Sequence, residues 1–535
     1  MTRGLLGSVT RALASATAAG AVAVFLAAPW LDPRLVWCEW LGVAVALLLI
    51  DHVRGWRGEA WTLASAVAAI AIAFHWAPQA LAAAMNADER TGLLVATPLV
   101  LWDAARLAMP IWFAARITRD PRTAWLPAAL TGTFTEAFVP AVFPWKLGYA
   151  QVGWPVVIQS VDLLGPESAT FVLHAHAGAI AWLIHTGVTR YHGSPAVSRG
   201  RPPSISPPPI SLLAIAVCAA NLVYGSAALN SWDDRVAKAA TCSVLLVQAN
   251  PEDEDGIDAL RRLTRAGCSA TAVVPDLVCW PECSGGSYEA TLDSLADADR
   301  VAGHSRAPYR GLRPLAAPAC PLLFGGKTYR GHPDRPESLH QTGILIDTTE
   351  TIRGRYHKRH LMPFGEYLPG SGFVPEISLY FPMADEFTAG SEPCVLQCGT
   401  GPRLGVMLCY EDMVPEAAHS LARAGAAVLV SLINGSAFTQ PLTLAQHRML
   451  AQLRAVECRR CLLRCAATGE TCLISPTGRV LAMLEPQTRG VLAADVPLLD
   501  ATTPAIWIGN AWPAACGGGA LALALGRRRR GHSAG

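Results

Sequence analysis

The sequence predicts a multi-span α-helical membrane domain together with an α/β domain, and three features support this. Long, nearly uncharged stretches fill the first 230 residues and recur near the C-terminus. Between 240 and 500 the pattern changes to short β-rich runs that alternate with helical stretches, as in layered α/β domains. Of the 535 residues 52% are hydrophobic and 16% are charged, with a net charge of +2. This balance argues against an electrostatic nucleic-acid binder and favours contact with lipid.

Eight apolar stretches approach the length of about 20 residues that a helix needs to cross a bilayer core. They fall at 10–30, 36–50, 60–84, 91–115, 123–143, 167–187, 209–229 and 503–526. The fifth is the weakest, because threonines and Glu136 interrupt it. The first has Arg3 and Arg11 ahead of an alanine-rich core, as a signal peptide does, but the further spans favour an uncleaved first helix.

Loop charges predict how these spans are oriented. If the N-terminus is cytoplasmic, the loops on that side carry most of the positive residues, namely Arg54, Arg57, Arg116, Arg119, Arg122, Arg190, Arg199, Arg201 and the tail arginines 527–530. The opposite loops carry Arg34, Arg90 and Lys146. Because an excess of Lys and Arg marks the cytoplasmic side, we expect both chain ends inside.

Four regions follow from this topology. We expect a membrane domain at 1–230 with about seven transmembrane helices, and an extracytoplasmic domain at 240–500. A C-terminal transmembrane helix at 503–526 would precede a basic cytoplasmic tail at 527–535. The proline-rich segment 198–211 cannot continue a helix and would connect the sixth and seventh spans.

Within the α/β region, apolar runs predict buried strands and amphipathic stretches predict helices. The strands are expected at 243–250, 269–280, 342–347, 403–409 and 426–434. The helices are expected at 255–267, 286–303, 415–424 and 442–460. Reactive groups in such domains tend to lie where strands end and loops begin.

Three residues of suitable chemistry occupy such positions. Glu282 follows a strand, Lys358 follows a hairpin-like stretch, and Cys409 ends the run RLGVMLC. Pro415 suits the first position of the next helix, and the partial positive charge of that helix end would favour the thiolate of Cys409. Together these residues would supply a nucleophile, a general base and an oxyanion stabiliser.

Each residue taken alone has a plainer interpretation. A free cysteine at a buried strand end is more often a small apolar residue than a nucleophile. An isolated glutamate is usually a solvated loop acid, and a lysine in a basic run is usually on the surface. His357 and His360 flank Lys358, but no third ligand motif follows, so no metal site is predicted. The sequence motifs around these residues are therefore needed to distinguish a catalytic site from three unrelated residues.

Those motifs resemble a known family. CWPECS (279–284), YHKRHLMPFGEYLP (356–369) and GVMLCYED (405–412), in this order, resemble signatures of the nitrilase superfamily. More narrowly, they resemble its membrane branch, the apolipoprotein N-acyltransferases, and the second motif is the most specific. The segments 143–153 and 446–480 resemble a membrane-domain loop and a late helix with its strands in the same family.

The resemblance implies a nitrilase-like α-β-β-α sandwich for the α/β domain. It also implies that Cys409 attacks the acyl ester of a phospholipid to form a thioester, with Glu282 acting as base and then acid. Lys358 would stabilise the tetrahedral oxyanion. The acyl group would pass to the N-terminal amine of a diacylated lipoprotein, and no cofactor or metal is required.

Four further positions match the family around this triad. Glu366 and Glu411 would orient Lys358 and the site, while Tyr410 and Asn434 would line it. The resemblance implies a bacterial inner-membrane protein, expected to be a monomer, with its catalytic domain on the periplasmic side. Two alternatives stay open: a membrane-tethered amidase using the same triad with water, and a non-catalytic scaffold.

Several positions depart from the family pattern, and none belongs to the triad. QANPEDEDGIDAL follows the first strand without the expected tryptophan. The other altered positions are His340-Gln341-Thr342, Asn434-Gly435-Ser436-Ala437-Phe438, Ala467 and Cys283-Ser284. We expect the chemistry to be retained, while the acyl donor, the acceptor or the rate differs, as in a divergent paralogue.

Twelve of the fifteen cysteines lie in the α/β region, where the predicted compartment permits disulfides. Cys458, Cys461 and Cys465 have helical spacing and are expected to pack together in the core on one helix face. Whether Cys394 pairs with Cys398 is left open, and Cys409 should stay unpaired.

Overall fold

The computed structural model describes residues 2–141, 143–191, 208–250, 256–271, 273–295, 319–332, 335–373, 376, 379, 381, 387–436 and 440–532. The chain divides into two compact units. The first comprises Met1–Ala77, Leu94–Ala228 and Ile508–Gly535, and the second comprises Pro78–Leu93 and Leu229–Trp507. Of the predicted proline-rich connector, residues 198–207 lie outside the described residues.

Up to residue 238 the described chain is helical, apart from turns and loops. The helices are α1 (Thr2–Leu31), α2 (Val36–Leu48), α3 (Trp56–Ala73), α4 (Ala77–Ala84), α5 (Glu89–Ile117), α6 (Trp125–Phe138), α7 (Val161–Leu164), α8 (Ser168–Tyr191) and α9 (Pro209–Lys238). Within the described residues, α5, α8 and α9 are long and apolar enough to cross a membrane. Together α3 and α4 also meet this test, but they are bent by 65° at the break between them. These helices are compatible with a transmembrane protein, and the count of eight spans stays a prediction.

The loop at 143–153, which resembles a family motif, is largely buried in the first unit. The backbone amide of Leu147 donates to Glu136 Oε1 at 2.7 Å, and that of Gly148 donates to Thr170 Oγ1 at 2.9 Å. A Cβ at Gly148 would lie 2.3 Å from the amide nitrogen of Thr170, so the close approach requires glycine. Irregular backbone among membrane helices needs such internal partners, and this motif therefore has a structural role.

The second unit contains an α/β domain. Its described helices after residue 240 are α10 (Gly256–Ala270), α11 (Pro415–Arg423), α12 (Pro441–Cys458) and α13 (Ala505–Ile508), while the last helix, α14 (Ala511–His532), belongs to the first unit. Its strands are β1 (Thr241–Gln248), β2 (Leu277–Cys279), β3 (Ser287–Glu289), β4 (Leu322–His332), β5 (Arg335–Ile346), β6 (Ile352–His357), β7 (Val395–Leu396), β8 (Leu404–Leu408), β9 (Val428–Ile433), β10 (Leu462–Ala466), β11 (Cys472–Ile474), β12 (Val480–Met483) and β13 (Gly490–Pro497).

The strands form two sheets. One has the order β13-β1-β2-β4-β5-β6, with β3 paired to β4 beside this path, and the other has the order β12-β11-β10-β9-β8-β7. In the first sheet β1, β2 and β4 are parallel, and in the second β8, β9 and β10 are parallel. The parallel strands of each sheet lie at its centre, where both faces are covered.

One apolar core joins the two sheets. Val244 of β1 and Leu345 of β5 pack in the same buried cluster as Val406 of β8 and Leu432 of β9. Helices α11 and α12 contribute alanine and leucine side chains to that cluster, and α10 packs on the other face of the first sheet through Leu260. The layers follow the order α-β-β-α, and the predicted sandwich is confirmed.

Most predicted elements are present with small shifts at their ends, and two predictions are wrong. The run at 269–280 was expected to be a strand, but its first residues continue α10 and only Leu277–Cys279 pair as β2. Gly267 lets α10 approach β1, because a Cβ there would lie 2.8 Å from the Leu245 side chain. The helix expected at 286–303 begins instead with β3, and residues 296–303 lie outside the described part.

The arrangement expected for three cysteines is also wrong. Helix α12 ends at Cys458, because Arg459 adopts a left-handed conformation with φ of 51°. Cys461 therefore lies directly before β10 and Cys465 lies within it, so neither is on the helix of Cys458. Their expected burial is confirmed, since all three are fully buried free thiols in the domain core.

Gly325 of β4 gives a test of how tightly the fold holds the loop after β2. A Cβ at this position would lie 2.5 Å from the Cα of Glu282. We expect Gly325→Ala to displace that loop and to destabilise the domain by about 1–3 kcal/mol, as overpacking does. Thermal unfolding of the purified protein measures the effect. Gly372→Ala is the control, because nothing lies within 4 Å of a Cβ there, and equal stability of the two variants would contradict the expectation.

Candidate active site

The ends of three strands bring the predicted catalytic residues together. Glu282 follows β2, Lys358 follows β6, and Cys409 follows β8. Cys409 begins a short 3-10 turn, Cys409–Met413, and has a φ of 45°, in the left-handed region. A residue without glycine's freedom is held in this conformation only when its surroundings fix it, and such residues are concentrated at functional sites.

Lys358 is the cation at the centre of this group. Its side chain is 1% exposed, and its Nζ lies 2.6 Å from Glu366 Oε1 and 3.5 Å from Glu282 Oε1. Burial alone would lower the pKa of Lys358, but the carboxylates of Glu282 and Glu366 outweigh it, and with the neighbouring Cys409 they raise this pKa. The ammonium therefore stays protonated throughout the neutral range.

Glu282 is a buried carboxyl with one cationic neighbour. Burial raises its pKa, the Lys358 ammonium acts in the opposite direction, and the negative charge of Glu366 raises it further. The backbone of Asn434, directly after β9, also hydrogen-bonds with Glu282. A carboxylate with a raised pKa is better matched to proton transfer near neutral pH than one with its usual value.

Burial and nearby acids act against ionisation of the Cys409 thiol. Burial raises its pKa well above the usual value, the carboxylates of Glu282, Glu366 and Asp412 add to this, and Lys358 opposes them. Pro415 is the first residue of α11, as predicted, and the effect of this helix end on the thiolate stays a prediction. The resting thiol keeps its proton and needs a base to remove it.

Glu411 links the turn of Cys409 to the loop that follows Lys358 through hydrogen bonds. Its Oε1 accepts hydrogen bonds from the Tyr356 hydroxyl at 2.7 Å and from the backbone amides of Arg359 and His360 at 2.9 and 3.1 Å. Its Oε2 accepts from the amide of Leu408 at 2.9 Å. The four bonds fix the strand end before Cys409 against the segment after Lys358.

Both halves of this chain resemble proteins that are already known. Residues 244–503 match the family described as carbon-nitrogen hydrolase. A protein of Geobacter metallireducens named apolipoprotein N-acyltransferase is 28% identical over 408 residues, covering 74% of this chain and 72% of its own. One of the same name from Chromobacterium violaceum is 29% identical, covering 97% of this chain and 95% of its own. The resemblance to the apolipoprotein N-acyltransferases is confirmed.

These relatives support an acyltransferase within the carbon-nitrogen hydrolase superfamily. Among solved structures, Nit3 of Saccharomyces cerevisiae, described as a member of branch 10 of the nitrilase superfamily, is 17% identical with a TM-score of 0.35. The match covers 48% of this chain and 90% of that one.

The remaining predicted residues lie beside the same group. Tyr410 is half-buried, and its pKa is raised by burial, with Tyr367 raising it further and Lys358 lowering it. Within the part of the chain that the structure describes, no group of three or more His, Cys, Asp or Glu side chains is arranged to hold a metal ion. His357 instead contacts the hydroxyls of Thr342 and Thr328. Ala437 and Phe438 lie outside the described residues.

The sequence reasoning missed Asp412. This buried carboxylate accepts hydrogen bonds from Ser431 Oγ at 2.9 Å, His447 Nε2 at 2.7 Å and Arg464 Nε at 3.0 Å. Burial opposes its ionisation, but His447 and Arg464 outweigh that and lower the pKa of Asp412 to about 2. The one available signal was the second acid of the Tyr-Glu-Asp motif, because the partners lie on three other elements.

Asp412→Asn tests how much this ion pair cluster stabilises the domain. The change keeps the side-chain size but removes the carboxylate bonded to the buried Arg464 guanidinium, so we expect a loss of about 3–5 kcal/mol in the free energy of unfolding. Chemical unfolding of the purified protein measures it. Ser431→Ala, which removes only a neutral partner, should cost about 1 kcal/mol, and equal losses would contradict the role assigned to the charge.

Acid stability gives a second readout of Asp412. Its pKa in the folded protein, about 2, lies below the ordinary value of 3.8. The stability it contributes is fully present above that ordinary value and is lost as the pH falls towards 2. We expect the wild type to lose more stability than Asp412→Asn over this interval, measured from unfolding midpoints at a series of pH values. Parallel curves would contradict this.

Proposed function

We propose that this protein transfers an acyl chain from a phospholipid, through a thioester on Cys409, to the N-terminal amine of a diacylated lipoprotein. The single observation that carries the proposal is the buried Lys358 ammonium between Glu282 and Glu366, beside a protonated thiol. The names of the relatives supply the class of acceptor. In this proposal Glu282, Lys358 and Cys409 form the catalytic triad.

In the first half-reaction the sulfur of Cys409 attacks the ester carbonyl while Glu282 takes the thiol proton. The negative charge that develops on the carbonyl oxygen is stabilised by the Lys358 ammonium, whose position is already fixed in a buried site. The tetrahedral intermediate then collapses, and Glu282 returns the proton to the departing glycerol oxygen. A lysophospholipid leaves, and the acyl chain stays on sulfur.

In the second half-reaction a neutral amine of the acceptor attacks the thioester carbonyl. Glu282 accepts one amine proton, Lys358 again stabilises the oxyanion, and the C–S bond breaks as the amide forms. The proton held by Glu282 returns to the sulfur of Cys409. Glu366 and Glu411 would keep Lys358 and the nucleophile turn in position, and Tyr410 and Asn434 would line the acyl site.

The proposed setting is the periplasmic face of a bacterial inner membrane, with the protein as a monomer. The distribution of loop arginines supports an extracytoplasmic position for the domain predicted at 240–500, between membrane-spanning segments at 1–230 and 503–526. A multi-span anchor would keep the domain at the surface where phospholipid and lipoprotein are both present.

Mass spectrometry of the intact protein tests the proposal directly. After incubation with phospholipid, we expect the wild type to gain one acyl mass and Cys409→Ala to gain none, with at least a thousandfold loss of transfer, since the nucleophile is removed. Cys394→Ala is the matched control, because Cys394 is an exposed free thiol of the same domain.

Three results would count against the proposal. Full transfer by Cys409→Ala would exclude this nucleophile. Release of ammonia from small amides without acylated peptide would favour the membrane-tethered amidase. A wild type that gains no acyl mass from any phospholipid would favour the non-catalytic scaffold.

The pH dependence of thioester formation tests the role of Glu282. Because Glu282 must be ionised to act as base, and burial raises its pKa, we expect an acid limb at a pH above the ordinary glutamate value of 4.5. Glu366 adds to that raised pKa, so Glu366→Gln should move the limb to lower pH as well as reduce the rate. Stopped incubations across pH, read as acyl adduct, measure both, and an unmoved limb would contradict the assignment.

A further inference from the structure

Two positions that depart from the family pattern come together in the second unit. Gln341 lies on β5, and Cys283 directly follows Glu282 in the loop after β2. The Nε2 of Gln341 donates to the sulfur of Cys283 at 3.9 Å, although 58 residues separate them. Both are therefore neighbours of the base in the proposed mechanism.

The backbone fixes Gln341 beside Lys358 as well. The carbonyl of Gln341 accepts a hydrogen bond from the amide of Lys358 at 2.9 Å. Gln341 is also paired across the sheet with Lys327 of β4. The backbone of Gln341 is therefore fixed between the end of β6 and Lys327, and its side chain contacts the loop of Glu282.

One atom of this side chain is without a partner. Gln341 is 6% exposed, and no donor among the described residues reaches its Oε1. A buried amide oxygen without a hydrogen bond costs free energy, so a substrate N–H that reaches it would be bound favourably. The Cys283 residue has exposed surface although its thiol is enclosed, so solvent reaches the loop beside this amide.

The chemistry of the proposed reaction selects the kind of donor. Burial raises the pKa of the Cys283 thiol to about 12, with the Glu282 carboxylate raising it further and Lys327 and Lys358 opposing them, so that residue is neutral at physiological pH. The amine that attacks a thioester must also be neutral, because only an unprotonated nitrogen has a free lone pair. The donor that reaches Gln341 in the second half-reaction is therefore a neutral N–H.

We infer that Gln341, held by Cys283, is a specificity-determining residue that binds the neutral primary amine of the acyl acceptor. This rests on the proposed function. A primary amine carries two hydrogens: one leaves to Glu282 as the amine attacks the thioester, and the other donates to Gln341 Oε1. The second contact orients the nitrogen lone pair towards the carbonyl.

The experiment separates the two half-reactions. Acyl-enzyme is formed with phospholipid, and the deacylation rate is then measured with a lipopeptide bearing either a primary amine or an N-methylated amine, which has one hydrogen fewer. We expect the wild type to prefer the primary amine by about tenfold, the order of one hydrogen bond in a desolvated site. Gln341→Met, of similar size but without a polar atom, should slow deacylation by the primary amine and abolish this preference.

Two further variants keep the test decisive. Cys283→Ala removes the sulfur that holds the Gln341 amide and should weaken the same preference, while Gln397→Met, at an exposed position of the same domain, should behave as wild type. The inference is overturned if Gln341→Met keeps the preference, or if it slows thioester formation as much as deacylation, which would indicate displacement of Lys358. If the wild type forms no thioester at all, the proposed function fails first, and the two failures are distinguishable.

Discussion

The site depends on one buried cation. Lys358 is enclosed at the end of β6, where an unpaired ammonium would be strongly unfavourable, and two carboxylates from separate loops, Glu282 and Glu366, make its burial possible. The pairing is reciprocal for Glu282, because the Lys358 ammonium opposes the effect of burial on the pKa of that carboxyl. The loops after β2 and β6 are thereby fixed relative to one another.

The turn that carries Cys409 is fixed from two directions by adjacent acids. Glu411 is bound by donors from β6 and from the segment after Lys358, which belong to the first sheet and its loops. Asp412 is bound by Ser431, His447 and Arg464, which belong to β9, α12 and β10. The left-handed conformation of Cys409 is maintained because the two acids that follow in the same turn are held in this way.

The sequence sufficed for the layered domain and for the residues that gather at its strand ends. The positions of β8 and α11 are predicted well. A strand buried on both faces has a continuous apolar sequence, and a helix buried on one face has apolar residues at helical spacing. Prediction from the sequence failed for features that depend on residues far apart in the chain. No local pattern predicts that Arg459 ends α12 in a left-handed conformation, or that Asp412 accepts hydrogen bonds from His447 and Arg464. The raised pKa of the Cys409 thiol could not be predicted for the same reason, since it comes from burial and from acids in three segments of the chain.

The raised pKa of Cys409 has a consequence for the chemical durability of the protein. Peroxides and alkylating agents react with thiolates far faster than with thiols, so a nucleophile that stays protonated at rest is a poor target for them. In the proposed mechanism, reactivity arises only while a substrate lies against the sulfur and Glu282 receives its proton. A cysteine kept in this way would tolerate an oxidising environment without a resolving partner, and its selectivity would come from the timing of one proton transfer.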